Sequence, residues 1–362
     1  MLGGFGDFFL LVGVTLGSIL LNLFFLILSP VIVLYVKYGG VGNRLKRQMP
    51  LPRVPRCVFI TGASSGVGEA LAYEYCKRAR KQQVQDLVLY LTGRNATRLD
   101  QVCERCRELG ASKVHALVVD VADEAAMREA ITKADQERPL DLVIANAGVS
   151  VTNTGLMEES KSGATGYERS KKLLDVNIYG ALYTIWPALD CMIARQRGGQ
   201  IAINASIASY IAGPLNMSYS ASKAAVRFYG ESLRTAMAPL GIRVNTILLG
   251  FVESRMTEPL KNRHGRLPFA KSAEEAATSL ANQIERDVGV IEYPAWPFGV
   301  LGEWLNAAPP LVREWIWSMV MGRMVTRAER KLRKRQAADV NIADSGTSTK
   351  YAILTRLVEK LI

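Results

Sequence analysis

The stretch from Cys57 to Tyr75 constrains the fold more than any other part of the chain. It begins with an apolar run rich in β-branched residues, continues as the glycine-rich sequence Thr61–Gly68, and ends in residues that favour a helix. A strand, a glycine-rich turn and a helix start in this order place backbone N–H groups and the positive end of a helix around an anion. The glycine spacing differs by one residue from the dinucleotide fingerprint. The turn alone therefore leaves open whether it binds a nucleotide or only reverses the chain.

Further strands and helices alternate as far as residue 292. Strands are predicted at residues 57–60, 87–92, 114–119, 142–145, 200–204, 242–249 and 289–292, and helices at 95–109, from Asp123 onward, 168–195, 219–238 and 273–286. This order predicts an α/β fold over residues 51–292. We expect a doubly wound parallel sheet of the Rossmann type with seven strands, which binds ligands at the carboxyl ends of its strands. Residues 149–170, rich in Ser, Gly and Lys, are expected to form an irregular insertion near the site.

The N-terminal segment contains no charged residue between Phe8 and Val36. This stretch exceeds the roughly 20 residues that span a bilayer. Asp7 precedes it and the positive charges follow it, which is the reverse of a secretory signal. We therefore expect residues 1–50 to form an uncleaved transmembrane anchor and a basic linker. By the positive-inside rule, the body of the protein should then face the cytosol.

The formal net charge of +12 is concentrated in two clusters. Residues 37–56 carry six basic side chains and no acidic one, and residues 323–335 carry seven basic side chains and one acidic one. The remainder of the chain is neutral. Basic clusters beside apolar segments fit an anionic membrane surface better than a groove for nucleic acid, so we expect membrane lipids and no nucleic acid as partners. A solvated helix end is the alternative for the second cluster.

The C-terminal region favours two interpretations. Residues 293–321 contain four of the five tryptophans and are interrupted by prolines and charges. Residues 293–335, which include the basic cluster at their end, form either an interfacial membrane segment or a cap. Such a cap would lie over the substrate cleft or at a subunit interface. Residues 336–362 are expected to be a tail, polar at first and ending in a short amphipathic helix.

The five cysteines show no disulfide framework, which is typical of a reducing compartment. Cys103 and Cys106 form a C-x-x-C pair, but no second pair completes a zinc site. The two histidines lie far from the motifs described below. We therefore expect no metal site.

Five motifs occur in an order and spacing that resemble the classical short-chain dehydrogenase/reductases. They are Thr61–Gly68, Asn146-Ala147-Gly148, Asn177, Ser206 and Tyr219-x-x-x-Lys223. The resemblance covers residues 55–290. One departure is Leu249-Gly250, where the family usually has Pro-Gly after the sixth strand. The family fold is the Rossmann-type sheet already predicted, and the resemblance implies oxidoreduction between alcohols and ketones.

The predicted catalytic residues are Asn177, Ser206, Tyr219 and Lys223. Tyr219 and Lys223 lie one helical turn apart, so the ammonium can approach the phenol and lower its pKa. Tyr219 would then donate a proton to the substrate oxygen, and Ser206 would hydrogen-bond the same oxygen. The resemblance implies that Asn177 positions a water that replenishes the proton. A surface tyrosine beside a lysine is the alternative for an isolated pair.

The expected cofactor is NADPH. In place of the acid that holds the ribose in NAD-binding relatives, Arg94 follows the second strand and offers a guanidinium to a 2′-phosphate. Arg98 would be a second partner, although either arginine could simply be solvated. The resemblance places Asp120 beside the adenine, with helix capping as its alternative role. The expected cofactor contacts are Gly62, Ser64, Ser65, Gly66, Val67, Arg94, Arg98, Asp120, Val121, Asn146, Tyr219, Lys223 and Val252.

The substrate expectation depends on architecture alone. An N-terminal anchor, a cytosol-facing body and an apolar C-terminal segment with a basic end resemble the 3-ketodihydrosphingosine reductases, which implies a lipid ketone and the endoplasmic reticulum membrane. Hydroxysteroid, retinol and 3-oxoacyl-CoA enzymes use the same core and are alternatives. A membrane scaffold that kept the fold and lost the activity is the non-enzymatic alternative. Pairing of the long helices would give a homodimer or homotetramer.

Overall fold

The structure is a computed structural model that describes residues 54–150, 166–210, 217–265, 267–295 and 310–316, together with single positions at 17, 24, 28, 299, 302, 306, 318 and 319. The chain divides into two units, Met1–Gln48 and Met49–Ile362. Most of the first unit, including nearly all of the predicted anchor, lies outside the described residues. Among those that are described, no helix is both long enough and apolar enough to cross a membrane. The expected transmembrane anchor therefore stays a prediction.

The second unit contains a seven-stranded parallel sheet, as predicted. Its order is β3-β2-β1-β4-β5-β6-β7. The strands are β1 Cys57–Ile60, β2 Val88–Gly93, β3 Lys113–Val118, β4 Leu142–Ala145, β5 Gly199–Asn204, β6 Ile242–Leu249 and β7 Val290–Tyr293. Strand β1 pairs with both β2 and β4, so the strand order reverses between β1 and β4. A ligand cleft is expected at the carboxyl edge beside this reversal.

Seven α-helices cover the two faces of the sheet in the described part of the second unit's body. They are α1 Gly66–Lys81, α2 Ala96–Glu108, α3 Glu124–Glu137, α4 Gly166–Leu174, α5 Gly180–Ala194, α6 Met217–Met237 and α8 Ala273–Glu285, and the short α7 Glu258–His264 lies in the loop after β6. Asp123 caps α3, as predicted, and Asn95, the first residue of the predicted helix 95–109, caps α2; each side chain accepts a bond from the helix's first turn. Residues 151–165 of the predicted insertion lie outside the described residues, and its end, from Gly166, is helical.

The sheet is buried on both faces because its side chains alternate between two cores. In β1, Val58 and Ile60 pack into the core under α1, α2 and α8, whereas Cys57 and Phe59 pack into the core under α3, α5 and α6. Each fully buried aliphatic or aromatic side chain contributes roughly 1.5–3 kcal/mol relative to an exposed one. This double burial explains why the strands are continuous apolar runs rather than alternating ones.

The long helix predicted over 168–195 is interrupted, and nothing in its sequence indicates the interruption. A π-helical turn, Asp175–Tyr179, separates α4 from α5. Such turns accommodate one extra residue and occur often at functional sites. Here the turn carries Asn177, which is 1% exposed.

Candidate active site

A cleft of about 830 Å³ lies at the carboxyl edge of the sheet. Its walls come from the loops after β1 to β6 and from one face of α6. Every predicted cofactor contact lines it, and so do Ser206, Tyr219 and Lys223. Asn177 lies outside the lining, buried behind Val149. The structure therefore brings together in one cleft all of the predicted site residues except Asn177.

The glycine-rich turn is shaped by close approach of the backbone. Gly62 has φ +67°, and a Cβ at this position would lie 2.8 Å from the Cα of Ala147. Gly66 has φ +65°, a conformation that other residues rarely adopt. Thr61 fastens the turn to the loop after β4, because its Oγ1 accepts bonds from the N–H groups of Asn146 (3.0 Å) and Ala147 (3.1 Å). The conformations of the two glycines and the Thr61 side chain therefore fix the shape of the turn.

Asn146 connects this cradle to the next strand. Its Nδ2 donates to the carbonyl of Thr61 at 2.9 Å, and its Oδ1 accepts from Asn204 Nδ2 at 3.0 Å. Asn204, the last residue of β5, was not singled out from the sequence. Its backbone carbonyl accepts a 2.7 Å bond from Lys223 Nζ. Two asparagines in series, Asn146 and Asn204, thereby join the glycine-rich turn to Lys223 on α6.

Tyr219 and Lys223 lie on the same face of α6, as their spacing predicts. Lys223 Nζ lies 6.0 Å from the centroid of the Tyr219 ring. Tyr219 is hydrogen-bonded to Ser206, whose Oγ also donates to the carbonyl of Leu249 at 3.1 Å. The N–H of Ala208 donates back to Ser206 Oγ at 3.1 Å. The two hydroxyls of the predicted catalytic set therefore lie together.

The expected lowering of the tyrosine pKa by Lys223 is not what the structure gives. Burial raises the pKa of Tyr219, and the hydrogen bond with Ser206 only partly offsets this effect. Burial also lowers the pKa of Lys223 to about 8. The reason for both shifts is that the two groups lose water on folding, which disfavours their charged forms. The ammonium donates a hydrogen bond to the Asn204 carbonyl. At neutral pH the phenol is protonated, which is the form a proton donor needs.

Asn177 is held by three hydrogen bonds. Its Oδ1 accepts from the N–H of Val149 at 2.8 Å, and its Nδ2 donates to the carbonyl of Val149 at 2.9 Å and to Ser222 Oγ at 3.1 Å. Ser222 in turn donates to the carbonyl of Tyr219 at 2.7 Å. Sequence reasoning missed Ser222, although it lies inside the Tyr-x-x-x-Lys motif. It connects the π-turn to the helix that carries the tyrosine.

The far end of the cleft carries two arginines and an acid. Arg94 forms a loose 3.8 Å ion pair with Asp120, and both side chains are about half exposed. Asp120 Oδ1 accepts a bond from the N–H of Ala122 in the loop before α3, whereas Asp123 caps that helix, so the helix-capping alternative for Asp120 is wrong. Arg98 Nε and Thr92 Oγ1 are buried without a hydrogen-bond partner in the described part of the chain. Unpaired donors of this kind suit a phosphate or ribose oxygen.

A nicotinamide dinucleotide fits these residues. The glycine turn leaves space where side chains would collide, and the unpaired polar atoms of Thr92, Arg98 and Asn204 belong to residues lining the same cleft. No group of three or more His, Cys, Asp or Glu side chains in the described segments could hold a metal ion.

Comparison with known proteins decides the family. The profile of the family described as short chain dehydrogenase matches residues 56–265. The chain belongs to the short-chain dehydrogenase family. As a member it is an oxidoreductase of alcohols and ketones that uses a nicotinamide dinucleotide. At Leu249-Gly250, where the family usually has Pro-Gly, the Gly250 N–H donates a 2.7 Å hydrogen bond to the carbonyl of Tyr293.

One relative and two solved structures are similar to this chain. The 11-beta-hydroxysteroid dehydrogenase 1A of Arabidopsis thaliana is 32% identical over 276 residues, which cover 72% of this chain and 74% of the relative. A short-chain dehydrogenase from Sphingobium yanoikuyae in complex with NADPH has a TM-score of 0.57 at 20% identity and covers 81% of this chain and 99% of that one. A short chain dehydrogenase from Mycobacterium paratuberculosis bound to NAD has a TM-score of 0.54 at 21% identity, covering 67% and 97%. The two structures share the fold.

Proposed function

We propose that this short-chain dehydrogenase is an NADPH-dependent reductase of an apolar ketone. The observation that carries the proposal is the convergence of Ser206, Tyr219 and Lys223 in a cleft continuous with the glycine turn. A ketosteroid-type substrate comes first, because relatives of about 30% identity are named 11-beta-hydroxysteroid dehydrogenases. 3-Ketodihydrosphingosine is the second candidate. It is favoured by the tryptophan-rich, basic C-terminal sequence.

The proposed chemistry follows from the protonation states of the site. NADPH, when bound, supplies the hydride. Tyr219, protonated at neutral pH, donates its proton to the ketone oxygen as negative charge develops there. Ser206 Oγ hydrogen-bonds the same oxygen by turning away from the Leu249 carbonyl. Lys223, charged below about pH 8, stabilises the phenolate that remains.

The preference for NADPH is proposed from Arg94 and Arg98. Arg94 has only a loose acid partner, and Arg98 Nε has none among the described residues. Arg94→Asp should weaken NADPH binding at least tenfold and leave NADH binding nearly unchanged in a fluorescence titration. Arg105→Asp, an exposed arginine of α2 outside the cleft, is the control. Equal NADPH affinity in both variants contradicts the assignment.

The substrate proposal is supported by the apolar residues that follow β5 and β6. Ile207, Leu249, Phe251, Met256 and Leu260 line the cleft. Purified protein in detergent should consume NADPH with one member of a panel of ketosteroids, 3-ketodihydrosphingosine, retinal and 3-oxoacyl-CoA. Loss of turnover in Tyr219→Phe excludes a contaminant. Turnover with no member of the panel contradicts the proposal, and an unchanged cellular phenotype in Tyr219→Phe favours the inactive scaffold.

Association with a membrane, with the endoplasmic reticulum as the site and the body facing the cytosol, stays a proposal. It is supported by the described residues 310–316, where Leu311 is 78% and Trp315 59% exposed. The basic residues 323–335 follow in sequence. Co-sedimentation with vesicles containing phosphatidylserine should exceed that with neutral vesicles and fall with salt. Equal sedimentation with both contradicts the electrostatic part of the proposal.

We also propose that the protein pairs with a second copy of itself. Tyr179, Trp186 and Ile193 are spaced seven residues apart along one face of the helix that ends in α5, and their exposures are 50%, 45% and 39%. On α6, Phe228 and Met217 are also exposed. Apolar side chains at this spacing favour a helix–helix contact and a homodimer or homotetramer.

A further inference from the structure

A buried polar cluster lies beside the substrate end of the cleft, outside its lining. Tyr210 ends the 3₁₀ turn Ile207–Tyr210 that follows Ser206 and is 3% exposed. Its hydroxyl donates a 2.6 Å bond to Oε1 of Glu292 on β7, which is 6% exposed. Burying a carboxylate costs several kcal/mol unless it is hydrogen-bonded, so a buried Tyr210–Glu292 pair indicates a structural or functional role.

The Tyr210 ring is also enclosed. The Arg227 guanidinium lies 4.0 Å from the ring centroid, in cation–π geometry. Arg227 is two helical turns after Tyr219 on α6, with Lys223 between them. On another side, a Cβ at Gly302, in the C-terminal segment (residues 293–335), would lie 2.6 Å from the ring, so only a glycine fits at this position. Three separate parts of the chain thus meet on one tyrosine.

Glu292 is approached in the same way. A Cβ at Gly299 would lie 2.8 Å from Glu292 Oε2. The two described glycines of this segment therefore lie directly over the two members of the Tyr210–Glu292 pair. The pair joins the 3₁₀ turn, the last strand and the C-terminal segment.

Short contacts connect this cluster to the cleft. Ile207, at the other end of the turn, lines the cleft, and its Cδ1 would lie 3.4 Å from a Cβ at Gly250. Ser206 immediately precedes the turn and bonds to the N–H of Ala208. The contacts that hold Tyr210 in place therefore also hold the position of Ile207 and the orientation of Ser206.

From these contacts we infer that Tyr210 is a substrate-positioning residue. Resting on the proposed function, the inference is that its bond to Glu292 and its packing against Arg227 and Gly302 hold the Ile207–Tyr210 turn as a fixed wall for an apolar ketone. Tyr210 acts through Ile207 and Ser206 and touches neither substrate nor cofactor. Loss of the bond should weaken substrate binding more than it slows turnover.

Tyr210→Phe removes the hydroxyl and keeps the ring. We expect KM for the apolar ketone to rise about fivefold or more, kcat to change less than KM, and NADPH affinity to stay the same. Tyr90→Phe is the matched control, because Tyr90 donates a 2.8 Å bond to Glu137 at the other end of the sheet. It should leave both kinetic constants unchanged. Equal KM values in the two variants overturn the inference.

A second pair of variants separates charge from hydrogen bonding. Glu292→Gln keeps an oxygen that accepts the Tyr210 bond and should retain the wild-type KM, whereas Glu292→Leu should reproduce the rise in KM of Tyr210→Phe. Should Glu292→Gln raise KM as much as Glu292→Leu, the tyrosine bond is not what holds the wall.

Hydrogen exchange gives a readout that needs no substrate. Amides of Ile207–Tyr210 should exchange at least severalfold faster in Tyr210→Phe than in the wild type or in Tyr90→Phe. If the wild type turns over no ketone, the proposed function fails while the exchange experiment still decides the inference. Unchanged exchange at the turn overturns it.

Discussion

At the scale of single residues, the site depends on two groups that lose water on folding and whose pKa values move in opposite directions. Burial raises the pKa of Tyr219 and lowers that of Lys223 to about 8. The motif predicted which residues meet. It could not predict these shifts, because they depend on how completely folding removes water from each group.

Tyr219→Phe should slow ketone reduction strongly and have little effect on cofactor binding. The change removes the proton donor and leaves the ring, so kcat should fall by about 10² to 10⁴, the usual contribution of general acid catalysis. Single-turnover assays and NADPH titration give the two quantities. Retention of more than a tenth of the wild-type kcat means that another group donates the proton.

The buried lysine should make folding stability depend on pH. Because the pKa of Lys223 falls from its ordinary 10.5 to about 8, the unfolded chain binds more protons than the folded protein between these values. Stability should therefore rise with pH across that window, by about 1–2 kcal/mol between pH 7.5 and 9.5. Urea unfolding of the wild type and Lys223→Met at both pH values isolates the lysine. An identical pH dependence in both proteins contradicts the shift.

At the scale of secondary structure, the strands and most helices follow from the sequence. The bounds of β1, β4 and β6 match the predicted ones, because short runs of mostly apolar residues between turn signals leave little choice. The π-turn at Asp175–Tyr179 could not be predicted. Its helical pattern is continuous, and the extra residue is stabilised by bonds that Asn177 makes to Val149 and Ser222, distant in sequence.

Ser222→Ala should remove the hydrogen bonds that connect the π-turn to α6. The side chain is fully buried and bonds to both Asn177 and the Tyr219 carbonyl. We expect a loss of about 1–2 kcal/mol in the free energy of unfolding, as for other buried hydrogen bonds, and a lower kcat. Ser218→Ala, one turn earlier and bonded to Ser170, is the control for stability. If both variants have wild-type kcat, the connection has no part in catalysis.

At the scale of the whole molecule, the sequence predicted the sheet and the position of the cleft, since alternating strands and helices allow few other topologies. It did not predict the contact of Gly299 and Gly302 with Glu292 and Tyr210. The two glycines do not by themselves indicate which residues they contact, because those residues lie on β7 and in the turn after Ser206. Tertiary contacts of this kind cannot be predicted from the sequence alone.

Pairing with a second copy is the prediction that belongs to this scale. A stable interface removes about 800 Å² from each partner, and the exposed apolar side chains of α5 and α6 are suited to its centre. Light scattering after size exclusion in detergent should give at least a dimer for the wild type. Phe228→Glu, at a position 61% exposed, should shift the mass toward a monomer, because association would bury a charge without a partner. Val288→Glu, exposed after α8, should not. A monomeric wild type, or equal masses for all three proteins, contradicts pairing through this surface.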